Sequence, residues 1–464
     1  MIGRVLSRRW PWTIGAPLLA AFGAAILTGV AYQESPAVAA ALVVALAGGA
    51  AVLAHPILGI YAGVLCAPLE YLDLKLGAVG LTAGEAVLLA AAASVLVRML
   101  VDANMVRTSL AHVAFGVLIC ISAVGVVFAP DYPVVLRIVL MWSAFLLLSI
   151  YTAAASSEQL RWLFVAIAVS GSILALLALT SGQTIELRGG GATATNRAQA
   201  SFAHPAVLAF FLVLALPCAI CLSLADRAWL RLPMLVASGV MLAGLMLTLT
   251  RGAIIGAAVS LAVLLWLPRF RLLAATLLAG MLIFGATNLT PLLSSPQASV
   301  VATRLSTVTG SEIQTNPRLR IYRGAPEMVI DHPLFGIGAG NFSKVSPLYG
   351  LRDLGGDTFE HAHDLPLTIA VETGLLGLVA LLVFLVGLGW EATAILAWRR
   401  TPAFTLAMAP VAAIAGLLAS SVTDYPLRTN LIMALFMIQA GALIAFARAA
   451  RGSRTAAERP MAPM

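Results

Sequence analysis

Residues 206–224 read AVLAFFLVLALPCAICLSL. No side chain in that run is charged, and apolar residues cover every face of the helix it would form. A bilayer core is crossed by about 20 such residues, so the stretch reads as a membrane-spanning helix. Working outward, similar runs recur at 13–32, 37–54, 56–69, 81–97, 109–128, 134–150, 160–179, 232–249, 252–267, 272–287, 365–388, 402–421 and 429–447. The run at 56–69 is short enough for a half-helix or re-entrant segment. The expectation is therefore an all-α polytopic membrane protein with 12–14 transmembrane helices.

The whole chain agrees with that reading. It has 464 residues, 61% hydrophobic and only 10% charged, with mean hydropathy +0.98. Soluble domains carry about 25% charged residues, and disordered chains lack this hydrophobicity. A transmembrane barrel would show alternation over about ten residues rather than long apolar runs. Nothing in the pattern points to nucleic acid. Cys66, Cys120, Cys218 and Cys221 lie inside apolar runs, where a thiol packs as a small hydrophobe.

The net charge of +8 comes from 28 basic residues, all arginine except Lys75 and Lys344. With the N-terminus in the cytoplasm, Arg4, Arg8, Arg9, Arg98, Arg107, Arg161, Arg227, Arg231, Arg269, Arg271, Arg399, Arg400, Arg448, Arg451, Arg454 and Arg459 fall on one side. That is the distribution the positive-inside rule describes. The first apolar stretch is too long for a cleaved signal peptide and more spans follow it, so it reads as an uncleaved helix. The chain then divides into spans over 1–287, with a first outer loop at 181–205, a periplasmic loop at 288–364, three final spans over 365–447, and a cytoplasmic tail at 448–464.

Basic residues on the other side call for another explanation. Arg197 lies in the first outer loop. Arg251, in Leu249-Thr250-Arg251-Gly252-Ala253, marks the turn of a hairpin, because the run from Pro233 to Pro268 is too long for one crossing. A charge at that depth is costly unless hydrated or paired, so Arg251 either snorkels to the interface or contacts an anion. Downstream, Asn316-Pro317-Arg318-Leu319-Arg320-Ile321-Tyr322-Arg323 sets three arginines after a helix-starting proline. Arg320 and Arg323 share a helix face and Arg318 points elsewhere. The arginine fork matches phosphate oxygens, although salt bridges to Glu327 or Asp331 would equally account for the cluster. Next, Asp331-His332-Pro333-Leu334-Phe335-Gly336-Ile337-Gly338-Ala339-Gly340 reads as a tight turn.

Glu360-His361-Ala362-His363-Asp364-Leu365-Pro366 runs directly into a span. Asp364 suits an N-cap, with Pro366 in the first turn. The start of this helix presents its positive dipole end to the same side as the arginines. A histidine there can accept a proton from an attacking hydroxyl near neutral pH. His361 and His363 without a third ligand at helical spacing are a weak metal signal, and no metal or other cofactor is expected. Walker, nucleophile-elbow and HExxH patterns are absent. Glu85 and Glu372 are the clearest intramembrane acids, thin support for an ion-coupled transporter.

Four places together resemble the O-antigen ligase and O-antigen polymerase superfamily of bacterial envelopes. RAQASFAHPA at 197–206 resembles an Arg-containing loop with a GTF-x-HPN pattern, with Ala200, Ser201 and Ala206 departing from it. TRGA at 250–253 is similar to SRGA. Residues 318–338, ending DHPLFGIG, resemble R-x3-W…DHPLxGxG, with Tyr322 in place of tryptophan. HDLPL at 363–367 with ETGLLG at 372–377 resembles HNxxL…ELGLLG, with Asp364 for asparagine. The resemblance covers roughly 195–440.

It implies a GT-C-like membrane glycosyltransferase of the bacterial inner membrane, working at the periplasmic face without metal or nucleotide sugar. The donor would be a glycan on undecaprenyl diphosphate, and the acceptor lipid A-core or another saccharide. His363, Arg251 and Arg318 would be catalytic. Arg197, Arg320, Arg323, His361 and Asp364 would bind substrate, and membrane lipids would surround the rest. Ligases and repeat-unit or exopolysaccharide polymerases share that donor site. The alternative of another class is a transporter or flippase for a lipid-linked glycan, which would carry its charges near the midplane.

Overall fold

Proline and a capping side chain start several of the helices, because an N1 proline gives up an amide hydrogen that has no intrahelical partner. The computed structural model describes residues 48–70, 73–76, 79–101, 108–180, 184–185, 195–196, 198–225, 227–266, 271–273, 275–280, 282–283, 317–352, 358–399 and 401–457. The principal helices are α1 (Pro56–Leu65), α2 (Ala83–Val101), α3 (Leu110–Val124), α4 (Tyr132–Thr152), α5 (Ser157–Thr180), α6 (Pro205–Ser223), α7 (Ala228–Leu247), α8 (Arg251–Leu264), α9 (Pro317–Asp331), α10 (Leu365–Ile395), α11 (Ala403–Ser420) and α12 (Asn430–Ala457). His204 caps α6, its Nδ1 accepting from Ala206 N at 3.1 Å ahead of Pro205. Asp364 caps α10, its Oδ1 accepting from Leu367 N at 2.8 Å.

The protein is an all-α, multi-pass membrane protein. Among the described residues nine helices are long and apolar enough to cross a membrane, and α1 and α8 are shorter apolar helices. Two small antiparallel ladders, 73–76 with 79–82 and 184–185 with 195–196, are the strands. The expected spans at 13–32 and most of 37–54 lie outside the described residues, as do 288–316 of the expected outer loop.

A helix apolar on all sides belongs inside a bundle, and α6 and α12 are almost wholly buried. Gln439 of α12 donates from Nε2 to Leu214 O at 3.3 Å and Cys218 Sγ at 3.1 Å, pinning the two central helices together. Around them α3 packs on α10, α4 on α12, α5 on α7, and α8 on α11. Phe384 joins three helices, with ring centroids 5.2 Å from Phe115 and 6.0 Å from Phe436. The α8–α11 contact is built from small residues, which let backbones approach closely in lipid. A methyl group on Gly252 would strike Thr423 Oγ1, and one on Gly256 would strike Ser420 Oγ. Ser260 Oγ donates to Ala412 O at 2.8 Å.

The two ends of the bundle differ. At one end Glu158 binds Arg161 at 2.6 Å and Arg227 at 2.8 Å, Arg448 donates to Ala153 O at 3.0 Å, and Arg451 pairs with Glu391. At the other end a second apolar cluster gathers Ile321, Ala325 and Met328 of α9 with Ile337, Phe342, Phe359, Ala362 and Val371. The three α9 residues share one helix face. The segment is anchored by buried Asn341, whose Oδ1 accepts from Asp131 N at 2.9 Å, and by the Lys344–Asp131 pair at 2.7 Å.

The turn expected over 331–340 proves more specific than a turn. Gly336, Gly338 and Gly340 all have positive φ. Ile337 N donates to Val371 O at 3.0 Å and Gly338 N to Glu372 O at 2.9 Å, while Leu375 N returns a bond to Pro333 O at 2.7 Å. These bonds replace helical ones inside α10, which breaks at Gly374 (φ 70°, ψ −173°). A side chain on Gly336 would collide with Val371 O, and one on Gly374 with Leu334 O. Buried Glu372 lies beside the backbone N–H groups of Gly340 and Phe342. The span expected as continuous over 365–388 is thus a short helix, a break and a longer helix.

Candidate functional site

The break in α10 leaves its first turns free to face the second core, and the loop that enters α10 carries both histidines. Each side chain there is held locally. His363 has φ 56°, a left-handed conformation that costs an L-residue about 1–3 kcal/mol unless its surroundings impose it. Its N–H donates to His361 Nδ1 at 3.0 Å, its carbonyl accepts from Tyr322 Oη at 3.5 Å, and the next residue is the α10 cap. Tyr322 therefore joins α9 to the histidine loop at the position where the family pattern has tryptophan.

The partner of both histidines is Asp424, between α11 and α12. Its Oδ1 lies 3.7 Å from His363 Nδ1 and 3.9 Å from His361 Nε2. The two imidazole rings meet edge to face with centroids 4.3 Å apart, and the Tyr425 ring lies 5.9 Å from His361. Burial raises the Asp424 carboxyl, but the His363 imidazole, the Tyr425 backbone N–H and the nearness of both histidine rings outweigh it and hold the group below the usual carboxylate range. Asp364 is shifted the other way: burial raises its carboxyl, and the cap bond to Leu367 N offsets this only in part.

His361, His363 and Asp424 place their three ligand-type atoms within 4.8 Å, supplying the third group that the sequence spacing did not show. The hydrogen bonds argue against ligation by His361. Because its Nδ1 accepts the His363 amide hydrogen, the neutral ring carries its own hydrogen on Nε2 and has no lone pair there to offer. The trio has the parts of an acid–imidazole relay: Asp424 Oδ1 faces His363 Nδ1, a buried nitrogen with no hydrogen-bond partner among the described residues, and Nε2 is left for a substrate hydroxyl.

Arg251 is the first residue of α8, after a turn that begins at the end of α7. It is exposed, and among the described residues it has no hydrogen-bond or ion-pair partner. Its neighbour Gly252 packs against Thr423, so Arg251 and Asp424 each lie one residue from the same helix–loop contact. Arg320 donates to Gly350 O at 3.3 Å and Arg323 is exposed. Arg318 is in the first turn of α9, one helical turn before Tyr322; its side chain lies outside the described residues. Arg197 also lies outside them, although Ala198 beside it donates to Leu247 O at 3.1 Å, at the end of α7. Asp364 has one carboxylate oxygen committed to the cap.

Among the described residues the non-glycine positions with positive φ are Ala200, Leu249 and His363. The first follows Arg197 by three residues, the second precedes Arg251 by two, and the third is the candidate base. Strained backbone tends to collect at functional sites, and here it marks three separate parts of the chain. Asp424, Tyr425 and Arg428 were missed in the sequence; the one available signal was a charged pair in TDYPLR, outside the arginine-rich end. Phe115, Trp142, Leu365, Phe384, Tyr425 and Phe436 line a small apolar void of about 10 Å³ inside the bundle.

Residues 236–382 match the family model for O-antigen ligase, so the resemblance to the O-antigen ligase and polymerase superfamily holds over that segment. It contains Arg251, α9, the glycine loop and His363. No curated protein matches the chain. A solved structure titled "Structural coordination of polymerization and crosslinking by a peptidoglycan synthase complex" is similar at 18% identity over 73% of this chain and 97% of its own, with TM-score 0.39.

Proposed function

We propose that this O-antigen-ligase-like membrane protein transfers a glycan from undecaprenyl diphosphate to a saccharide hydroxyl at the periplasmic face of the inner membrane. The observation that carries the reading is the Asp424–His363 pair, strained into place at the end of the bundle away from the arginine-rich one. In the reaction the acceptor oxygen bonds to the anomeric carbon and the bond from that carbon to the diphosphate breaks. The diphosphate departs with the bonding electrons, and the acceptor proton passes to His363 Nε2. Asp424 favours the imidazolium so formed, because its carboxylate faces Nδ1. Arg251, with Arg318 and Arg197, holds the diphosphate and offsets the charge that grows on it. Arg320, Arg323 and His361 line the approach, with Asp364 fixing the helix start.

Glycan analysis of a deletion strain tests this. Polymer left on the carrier lipid with unmodified lipid A-core is the result for a ligase, and single repeats are the result for a polymerase. Wild-type glycans on both lipids overturn the reading.

A further inference from the structure

We propose that Arg428 is a further contact for the donor diphosphate and that Glu360 occupies it in the empty protein. The inference rests on the function given above and deepens its donor site.

The loop entering α10 and the loop between α11 and α12 are stitched together in antiparallel order. Leu365 N donates to Ser421 O at 3.0 Å, His363 and His361 face Asp424, and Glu360 pairs with Arg428. The last stitch therefore lies on the same seam as the candidate base, four residues from Asp424 along one loop and one residue before His361 along the other. The first stitch is backbone and the second is largely buried, but Arg428 and Glu360 remain 48% and 61% exposed. A basic residue at this end is unexplained by the rule that gathers arginines at the other. The other outer pair, Lys344–Asp131, is backed by buried Asn341 on the Asp131 backbone and serves as an anchor.

An exposed ion pair contributes little and exchanges readily. A diphosphate offers a guanidinium more charge and a better geometric match than one carboxylate does. Arg428 would leave Glu360 for the donor, adding a cation on the side of His363 formed by the α11–α12 loop, while Arg251 serves from α8.

Binding of farnesyl diphosphate to the full-length protein in lipid nanodiscs tests this, with Arg428→Ala, Glu360→Gln and Arg251→Ala alongside wild type. Arg428→Ala is expected to weaken binding about tenfold, as for loss of one charge-assisted contact. Glu360→Gln is expected to tighten it about two- to fivefold at low salt, by removing the competing carboxylate. Misfolding cannot produce that gain. Farnesyl monophosphate should lose less affinity in Arg428→Ala than the diphosphate does. Unchanged binding in Arg428→Ala overturns the contact, and unchanged or weaker binding in Glu360→Gln overturns the exchange. If wild type binds no probe, or Arg251→Ala binds it as wild type does, the donor-site reading itself falls.

Discussion

In the proposed reaction His363 and Arg251 divide the work by charge and by timing. An imidazole that takes the acceptor proton contributes in the transition state, so His363→Ala should lower transfer about 10²–10⁴-fold while leaving lipid-diphosphate binding near wild type. Binding and transfer measured separately on purified protein check this; unchanged transfer or lost donor binding counts against the role. In the same proposal Arg251 meets the donor before and during reaction, so Arg251→Ala should weaken binding as well, and Arg251→Lys should restore it only partly, because an ammonium keeps the charge and loses the fork. Asp424 adds a pH dependence. Its carboxyl is held below the usual range, so on acidification the unfolded chain takes up this proton first and the native state loses stability. The contribution is fully present at neutral pH and lost as pH falls through the native value. Asp424→Asn should melt lower than wild type at pH 7 in detergent, and the gap should close in acid. The histidines and three of the arginines were legible in the sequence as charges beside helix starts. Asp424 was not, because a lone aspartate in a loop has no partner until α11 and α12 are folded against α10.

At the scale of the element, the decisive feature is the break in α10. The sequence from Leu365 to Leu388 is apolar enough to read as one span, and Gly374 within it looks like a packing glycine. The structure shows instead that Gly374 and Gly336 interlock, each taking positive φ with the other strand's backbone where a Cβ would be. Gly374→Ala and Gly336→Ala should each destabilise by about 3 kcal/mol, combining left-handed strain with a backbone clash. Thermal melts in detergent check this, and a change below 1 kcal/mol would show that the loop is not needed to break the helix. The glycine spacing marked a tight path in the sequence. Its partner, a carbonyl row on a helix some 35 residues later, was not encoded locally.

At the scale of the molecule, the distribution of charge predicts the orientation, and packing decides which candidate residues meet. A single cysteine in place of exposed Arg323 should react with a membrane-impermeant maleimide in spheroplasts, and one in place of exposed Arg231 only after permeabilisation. The reverse pattern would invert the assigned faces. The sequence by itself determined the class, nine of the expected spans among the described residues and the basic end, because lipid acts on one helix at a time and rewards about 20 apolar residues wherever they fall. It also placed the candidate site residues near helix starts, since caps and prolines act within one turn. Only the tertiary structure decided which of those starts meet. The seam of His361 and His363 with Asp424, the interlocked glycines and the close α8–α11 contact beside Arg251 join residues 35 to more than 150 positions apart. Such contacts are specified by packing between helices, which no local pattern of hydrophobicity records.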